Sequence, residues 1–288
     1  MKKYLWLLIL FLIPFKVYGN SSYIVMDADS KRVIEGANTQ EKKLIASTTK
    51  IMTAIIAIEN ADLNSKVTIS KDVLKAYGSN IYIEVGEEIS LRDLLYGLLL
   101  RSGNDAAIEI ARFVGGSMEE FANLMNRKAH ELGMNNTNFI NSSGLEDENK
   151  TGNTSTAYDM ALLMSYAIKN EEFVKITGTK KHIVTTNYKT YEWHNKNRLL
   201  SSYKYCIGGK TGFTKLARRT LVTAAKKDDK LLVVVTLNDG DDFNTHKYLY
   251  EKNFKNYNLV KIIEKGNIKI DNNIFYDNLY IEDDIKAL

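Results

Sequence analysis

The chain has 288 residues, 44% of them hydrophobic, with 39 Lys and Arg against 35 Asp and Glu. Lys2, Lys3 and Lys16 fall in the first nineteen residues and no acid does, so the rest carries about +1, which gives no electrostatic case for nucleic-acid binding. The single cysteine, Cys206, excludes an internal disulfide, so stability has to come from a buried core, for which roughly 270 residues suffice.

Residues 1–19, MKKYLWLLILFLIPFKVYG, read as a secretory signal peptide: two lysines, an apolar run and a small-residue exit, with cleavage expected after Gly19. The apolar run is shorter than the roughly 20 residues that a membrane span needs. YIVMDADSKRVIEG then gives a hairpin signal around Asp29-Ser30-Lys31. A helix is expected from about Ser47 to Glu59, capped by Ser47. SKVTIS reads as a short strand. SLRDLLYGLLL has helical spacing, with Ser90 as cap and Asp93 three residues later. Two more helices, from Asn104 and from Ser117, each close on glycine. The polar stretch from Asn141 to Ser155 is expected to be a long functional loop, and helix returns from Thr156.

After about Lys180 the period changes from 3.6 to 2. KHIVTTNYKTYEW, the segment into Lys210, and ARRTLVTAAKKDDKLLVVVTLN look like strands, with a turn at DDKLL. A closing helix follows from Asn244, and residues 259–288 read as short strands. With strands at both ends and helices between, the expected fold is α+β: an antiparallel sheet flanked by helices, with a helical lobe. The division expected is a leader at 1–19, a main domain at 20–258 and a short β-rich tail at 259–288.

Three small motifs carry the chemistry. Ser47-Thr48-Thr49-Lys50 puts a hydroxyl and an amine on one helix face ahead of an apolar run. A serine needs a base to take its proton, and a lysine serves if burial or a second cation keeps it neutral. The four histidines are scattered, without a Gly-x-Ser-x-Gly elbow or metal-ligand spacing, so they read as surface or packing residues and no metal or cofactor is expected. Ser102-Gly103-Asn104 breaks two helices and offers a hydroxyl and an amide for proton transfer and substrate contact. Lys210-Thr211-Gly212 opens a β-rich stretch where a substrate backbone can approach. Second copies, Ser201 to Lys204 and Lys150 to Gly152, lie in polar surroundings and read as chance.

Ser-x-x-Lys, a Ser-x-Asn variant of Ser-Asp-Asn, and Lys-Thr-Gly form the trio of penicillin-binding proteins and class A β-lactamases. Together with VMDADSKRVI, NSSGL, STAYDMA and GGKTGFT, they make the chain resemble the serine D-alanyl-D-alanine carboxypeptidases, the low-molecular-weight penicillin-binding proteins, from about Tyr23 to Tyr257. The resemblance implies a transpeptidase-like fold. It implies Ser47 as the nucleophile that forms an acyl-enzyme, Lys50 as its base, and Ser102 and Asn104 assisting proton transfer and orienting the substrate. Lys210 and Thr211 would hold the substrate carboxylate, and the backbone N–H groups of Ser47 and Phe213 would form the oxyanion hole beside Gly212.

It also implies an exported, extracytoplasmic enzyme of the cell wall that removes D-alanine from peptidoglycan stem peptides ending in D-Ala-D-Ala, with β-lactams as covalent inhibitors. Relatives often carry Ala-Gly where this chain has Ala217-Arg218, and their carboxylate-binding arginine has no clear match in LNDGDDFNTH; Arg218 or Arg219 could stand in. Relatives also commonly add a C-terminal β-rich domain and an amphipathic anchor, so membrane tethering stays open. Two alternatives remain: a serine β-lactamase, for which no Glu-x-x-Leu-Asn stretch supplies the deacylating glutamate, and a non-catalytic β-lactam or wall sensor, which would need a membrane-spanning signalling partner segment.

Overall fold

The computed structural model describes residues 20–269 and 278–287; the leader predicted over 1–19 lies outside the described residues. Strands β1 (Ser22–Asp27) and β2 (Val33–Ala37) form the expected hairpin, with Lys31 at φ 59° in its turn and Asp27 N–H closing on Arg32 O at 2.9 Å. Five helices follow: α1 (Lys50–Asn60), α2 (Leu91–Tyr96), α3 (Asn104–Gly115), α4 (Met118–Glu131) and α5 (Ala157–Ala167). The expected cap at Ser90 forms, its Oγ accepting from Asp93 N–H at 3.0 Å. The glycines closing α3 and α4, Gly116 and Gly133, sit at φ 77° and 76°, where a β-carbon is disfavoured. A sixth helix, α6 (Glu171–Gly178), was not anticipated; Asn170 caps it by accepting from Phe173 N–H at 3.1 Å.

The period-2 region splits into two structures. β3 (Lys181–Thr185) and β4 (Thr190–His194) pair only with each other. Their inward side chains face α2 and the turn after it instead of the sheet: half-buried His182 stacks on Tyr96 at 3.7 Å between ring centroids, and buried Trp193 lies against Gly97. By contrast, β5 (Cys206–Thr214), β6 (Arg218–Lys227) and β7 (Lys230–Leu237) continue the hairpin into one antiparallel sheet of order β2-β1-β7-β6-β5. β1 pairs along its whole length with β7, from Ser22 opposite Leu237 to Asp27 opposite Leu232.

Alternation assigns the two faces of this sheet. Val25, Leu221, Ala225, Leu232 and Val234 pack against Leu249, Tyr250 and Phe254 of the closing helix, α7 (Asp242–Asn256). Ile24, Met26, Val222, Ala224, Val233 and Val235 belong to the larger core shared with α1 to α6. One sheet edge, β5, is left without a strand neighbour. The apolar run behind Lys50 explains why α1 is central: Ile51, Met52, Ala54, Ile55 and Ala57 are all fully buried. Beyond α7 the described tail forms two small antiparallel pairs, Val260–Ile263 with Ile285–Ala287 and Gly266–Lys269 with Asn278–Ile281.

Candidate active site

Ser47 lies in a single 3-10 turn, Ala46–Thr49, that runs into α1. It is therefore not the helix cap that the sequence suggests: α1 begins at Lys50 with Thr49 in the cap position and no side-chain cap bond. The entry is tightened instead by Thr48, whose Oγ1 donates to Ile45 O at 2.6 Å. Ala46 sits at φ 48°, a left-handed conformation that costs a residue with a β-carbon about 1–2 kcal/mol. Gly144 packs so closely on the Ala46 carbonyl that an added β-carbon would lie 1.9 Å from its oxygen. Such strain persists only where surrounding structure holds it, and it concentrates at functional sites.

Lys50 is completely buried. Its Nζ lies 3.1 Å from Ser47 Oγ and donates to two carbonyl oxygens, Asn104 Oδ1 and Ser143 O, each at 2.7 Å. Burial first, and then the positive charges of Lys210 and Lys196, hold the Lys50 amine well below the usual lysine range, with Asp105 opposing. The like-charge effect of Lys210 is thus present but second to desolvation.

Ser102 ends a π-helical turn, Gly97–Arg101, at φ 66°, and π turns interrupt helices frequently at functional sites. It is buried and faces the same cavity as Ser47. Asn104 begins α3 and is fixed from three directions: its N–H donates to Ser79 O at 2.7 Å, its Nδ2 to Tyr77 O at 2.6 Å, and its Oδ1 accepts from Lys50. The neighbouring Asp105 carboxylate accepts from the N–H groups of Ile81 and Tyr82, which ties down the loop that carries Tyr77 and Ser79.

β5 forms the opposite wall. Lys210 is buried, donates to Thr211 O at 2.7 Å, and is pushed down to about 7 by burial and by Lys196. Thr211, Gly212 and Phe213 line the cavity, with the Phe213 ring exposed. Gly212 has to be glycine for space: a β-carbon there would lie 2.3 Å from Thr220 Oγ1 and 3.0 Å from Ser47 N. Thr220 in turn donates to Ile45 O at 3.1 Å, linking β6 to the turn that carries Ser47.

The cavity between these walls has a volume of about 450 Å³. Sequence reasoning missed Lys196, Arg198, Asp242 and Phe243, and named Arg219 only as one of two stand-ins for a carboxylate-binding arginine. Lys196 lies past the β3–β4 hairpin, donates through Nζ to Ser79 Oγ at 3.2 Å, and is lowered by burial and Arg101. Arg198 and Arg219 both stand over the Phe243 ring, at 4.6 and 5.5 Å from its centre. Arg219 also donates to Asp242 at 2.7 Å; burial raises the Asp242 pKa while that guanidinium opposes the rise. Arg218 is exposed at φ 61°, outside the cavity lining. No motif spacing marks Lys196 or Arg198; the basic run around them was the one available signal for that pair.

The second motif copies lie elsewhere. Ser201 and Ser202 are exposed on a one-turn helix, Leu199–Ser202, and Lys150 and Thr151 are exposed in the polar loop. His246 is a packing residue, buried between Thr223 and Thr236. Among the described residues, no group of three or more His, Cys, Asp or Glu is placed to hold a metal ion.

A family model described as D-alanyl-D-alanine carboxypeptidase, peptidase S11, matches residues 17–241. The chain is 38% identical over 220 residues to D-alanyl-D-alanine carboxypeptidase DacF of Bacillus subtilis, covering 74% of this chain and 56% of that protein. It is 35% identical over 216 residues to D-alanyl-D-alanine carboxypeptidase DacB2 of Mycobacterium tuberculosis, covering 75% and 74%. Its fold superposes on a D-alanyl-D-alanine carboxypeptidase structure from M. tuberculosis with a TM-score of 0.78 at 31% identity, covering 82% and 91%. A Streptomyces DD-transpeptidase variant gives 0.75 at 31%, covering 80% and 95%. The chain thus spans little more than half of the B. subtilis relative but most of the solved structures.

Proposed function

Because this chain belongs to the D-alanyl-D-alanine carboxypeptidase family, we propose that it is a serine carboxypeptidase that removes the terminal D-alanine from peptidoglycan stem peptides ending in D-Ala-D-Ala. The observation that carries this reading is the buried Lys50 amine beside Ser47. A neutral amine has two N–H donors and one lone pair. The two carbonyls at 2.7 Å occupy the donors, and the lone pair is left for the Ser47 hydroxyl at 3.1 Å. Ser47 Oγ attacks the carbonyl carbon of the penultimate D-alanine while Lys50 takes its proton. The oxygen, now negative, is met by the backbone N–H groups of Ser47 and Phe213, a type of contact worth roughly 10²–10³ in rate per donor.

Collapse breaks the C–N bond. The proton passes to the departing D-alanine amine through Ser102, and the acyl group stays on Ser47. Water, deprotonated by the same lysine, attacks the ester; the stem peptide leaves and Ser47 regains its hydrogen. The peptide adds as a strand along the open edge of β5, its terminal carboxylate held by Lys210 and Thr211 in the field of Lys196, Arg198 and Arg219.

β-Lactams would acylate the same serine and leave slowly. Among the described residues lining the cavity the one carboxylate is Asp242, and it is engaged by Arg219, so no free carboxylate stands ready to activate water as a β-lactamase requires. We also assign residues 1–19 as an export leader, 20–258 as the catalytic domain and 259–288 as a β-rich tail, with action outside the cytoplasmic membrane. Intact mass spectrometry after benzylpenicillin tests the reading: one adduct on the wild type, none on Ser47→Ala, with D-alanine released from a D-Ala-D-Ala peptide. An adduct on Ser47→Ala, or no D-alanine from the wild type, overturns it.

A further inference from the structure

We propose that Thr177 limits this enzyme to substrates with a single residue after the scissile bond, by closing the edge of β5 immediately before Lys210. The inference rests on the carboxypeptidase reading above and adds to it the residue that stops the substrate strand.

Thr177 is the penultimate residue of α6 and is buried. Its Oγ1 accepts from Gly209 N–H at 3.0 Å and donates to Gly209 O at 2.9 Å. One hydroxyl thus satisfies both backbone groups of that residue, as a neighbouring strand would. The two glycines before Lys210 leave room for this approach: a β-carbon on Gly208 would lie 2.3 Å from Thr177 Cγ2. The last residue of α6, Gly178, lies against Ile207, where an added β-carbon would be 2.7 Å from the Ile207 carbonyl oxygen. Asn195, next to Lys196, holds this end of the helix: its Nδ2 donates to Thr177 O at 3.0 Å and to Thr179 O at 2.9 Å.

Alternation along β5 fixes what remains of the edge. In an antiparallel pair, the backbone groups of successive residues point alternately toward the partner strand and away from it. Among the described strands, β6 alone pairs with β5. Gly209 turns its N–H and O away from β6, to Thr177, so Thr211 and Phe213 turn theirs to the same side. Ile207 and Gly209 are covered by α6, whereas Thr211 and Phe213 line the cavity. A substrate strand therefore has two residues of β5 to pair with. With the reacting carbonyl at the N–H groups of Ser47 and Phe213, the residue on the acyl side takes Phe213 and the leaving D-alanine takes Thr211. The Thr211 carbonyl oxygen already accepts from Lys210 Nζ, which puts an amine where the chain has to end in a carboxylate. A further residue would need the backbone groups of Gly209, and Thr177 holds both.

The test compares diacetyl-L-Lys-D-Ala-D-Ala with the same peptide extended by one L-alanine, counting D-alanine from the first and the D-Ala-L-Ala dipeptide from the second. The wild type is expected to favour the shorter peptide by on the order of 10²-fold in kcat/KM, as a site does when a ligand's polar groups are denied their partners. Thr177→Ala uncovers Gly209 and is expected to narrow that ratio by roughly tenfold, the scale of one or two regained hydrogen bonds, with the gain on the extended peptide. Thr177→Val keeps the bulk over Gly209 and is expected to keep the wild-type ratio while losing thermal stability, because both Gly209 groups lose their partner. Comparable rates on the two peptides in the wild type, or a wild-type ratio in Thr177→Ala, overturn the inference while the carboxypeptidase reading stands. A Thr177→Val ratio that narrows as far as that of Thr177→Ala also overturns it, since loosening of α6 and not an opened edge would then be the cause. If neither peptide is cleaved and Ser47 takes no penicillin, the broader reading falls and this inference with it.

Discussion

The two walls of the cleft each hold a buried lysine, and they treat it oppositely. On the helical wall, Lys50 meets three oxygen partners fixed by separate segments: Ser47, Asn104 and Ser143. On the strand wall, Lys210 has one contact, the carbonyl of the next residue. Both amines are held below the lysine range chiefly by burial. The fuller shell suits a base that must keep one orientation through the reaction; the sparse one suits a cation that completes its coordination only when an anion arrives. The same element of physics, desolvation of an ammonium, thus gives two different tools according to how many acceptors surround it.

Removing the sparse partner should have the larger effect. Lys210→Met is expected to lower kcat/KM for a D-Ala-D-Ala peptide by roughly 10²-fold, the scale for losing a desolvated charge partner, with the loss mainly in KM. A loss confined to kcat would mean that Lys210 acts on the chemistry and not on the carboxylate, and the contrast between the walls would fall.

The fuller shell is probed by Asn104→Asp, which keeps shape and puts an anion against the Lys50 amine. The proposed base role requires a neutral Lys50, so activity is expected to rise as pH climbs through its pKa. An adjacent negative charge favours the ammonium form and raises that pKa, moving the acid limb of the rate profile to higher pH by about 1–3 units. Activity well above the new limb should be much less affected. An acid limb that stays in place would show that Lys50 is not the group whose deprotonation limits the rate.

The motifs made one half of this contrast legible and hid the other. Ser47, Lys50, Ser102, Asn104 and Lys210 to Phe213 stood out because helix spacing, a helix break and a strand edge each leave a pattern in the sequence. Ser143 did not, since it acts through a backbone carbonyl that any residue carries. Lys196, Arg198 and Asp242 reach the cavity from three separate segments that only the tertiary fold brings together. The same distinction holds for the fold. The main sheet followed from strands at both chain ends, whereas β3 and β4 share its alternation yet pair only with each other, because Tyr191 and Trp193 bury against the helical lobe. Ser47 looked like a cap from its residue type, and the left-handed turn at Ala46 displaced the helix start by three residues.

The contrast between the walls depends most on the protonation state of one amine. Titration of the lysine ¹³Cε signals by NMR, with the Lys50 resonance assigned by its loss in Lys50→Arg, measures that state directly. A midpoint well below the roughly 10.4 of a free lysine, with a neutral amine at the working pH, is the result predicted. A Lys50 signal that titrates at or above that value would contradict the account.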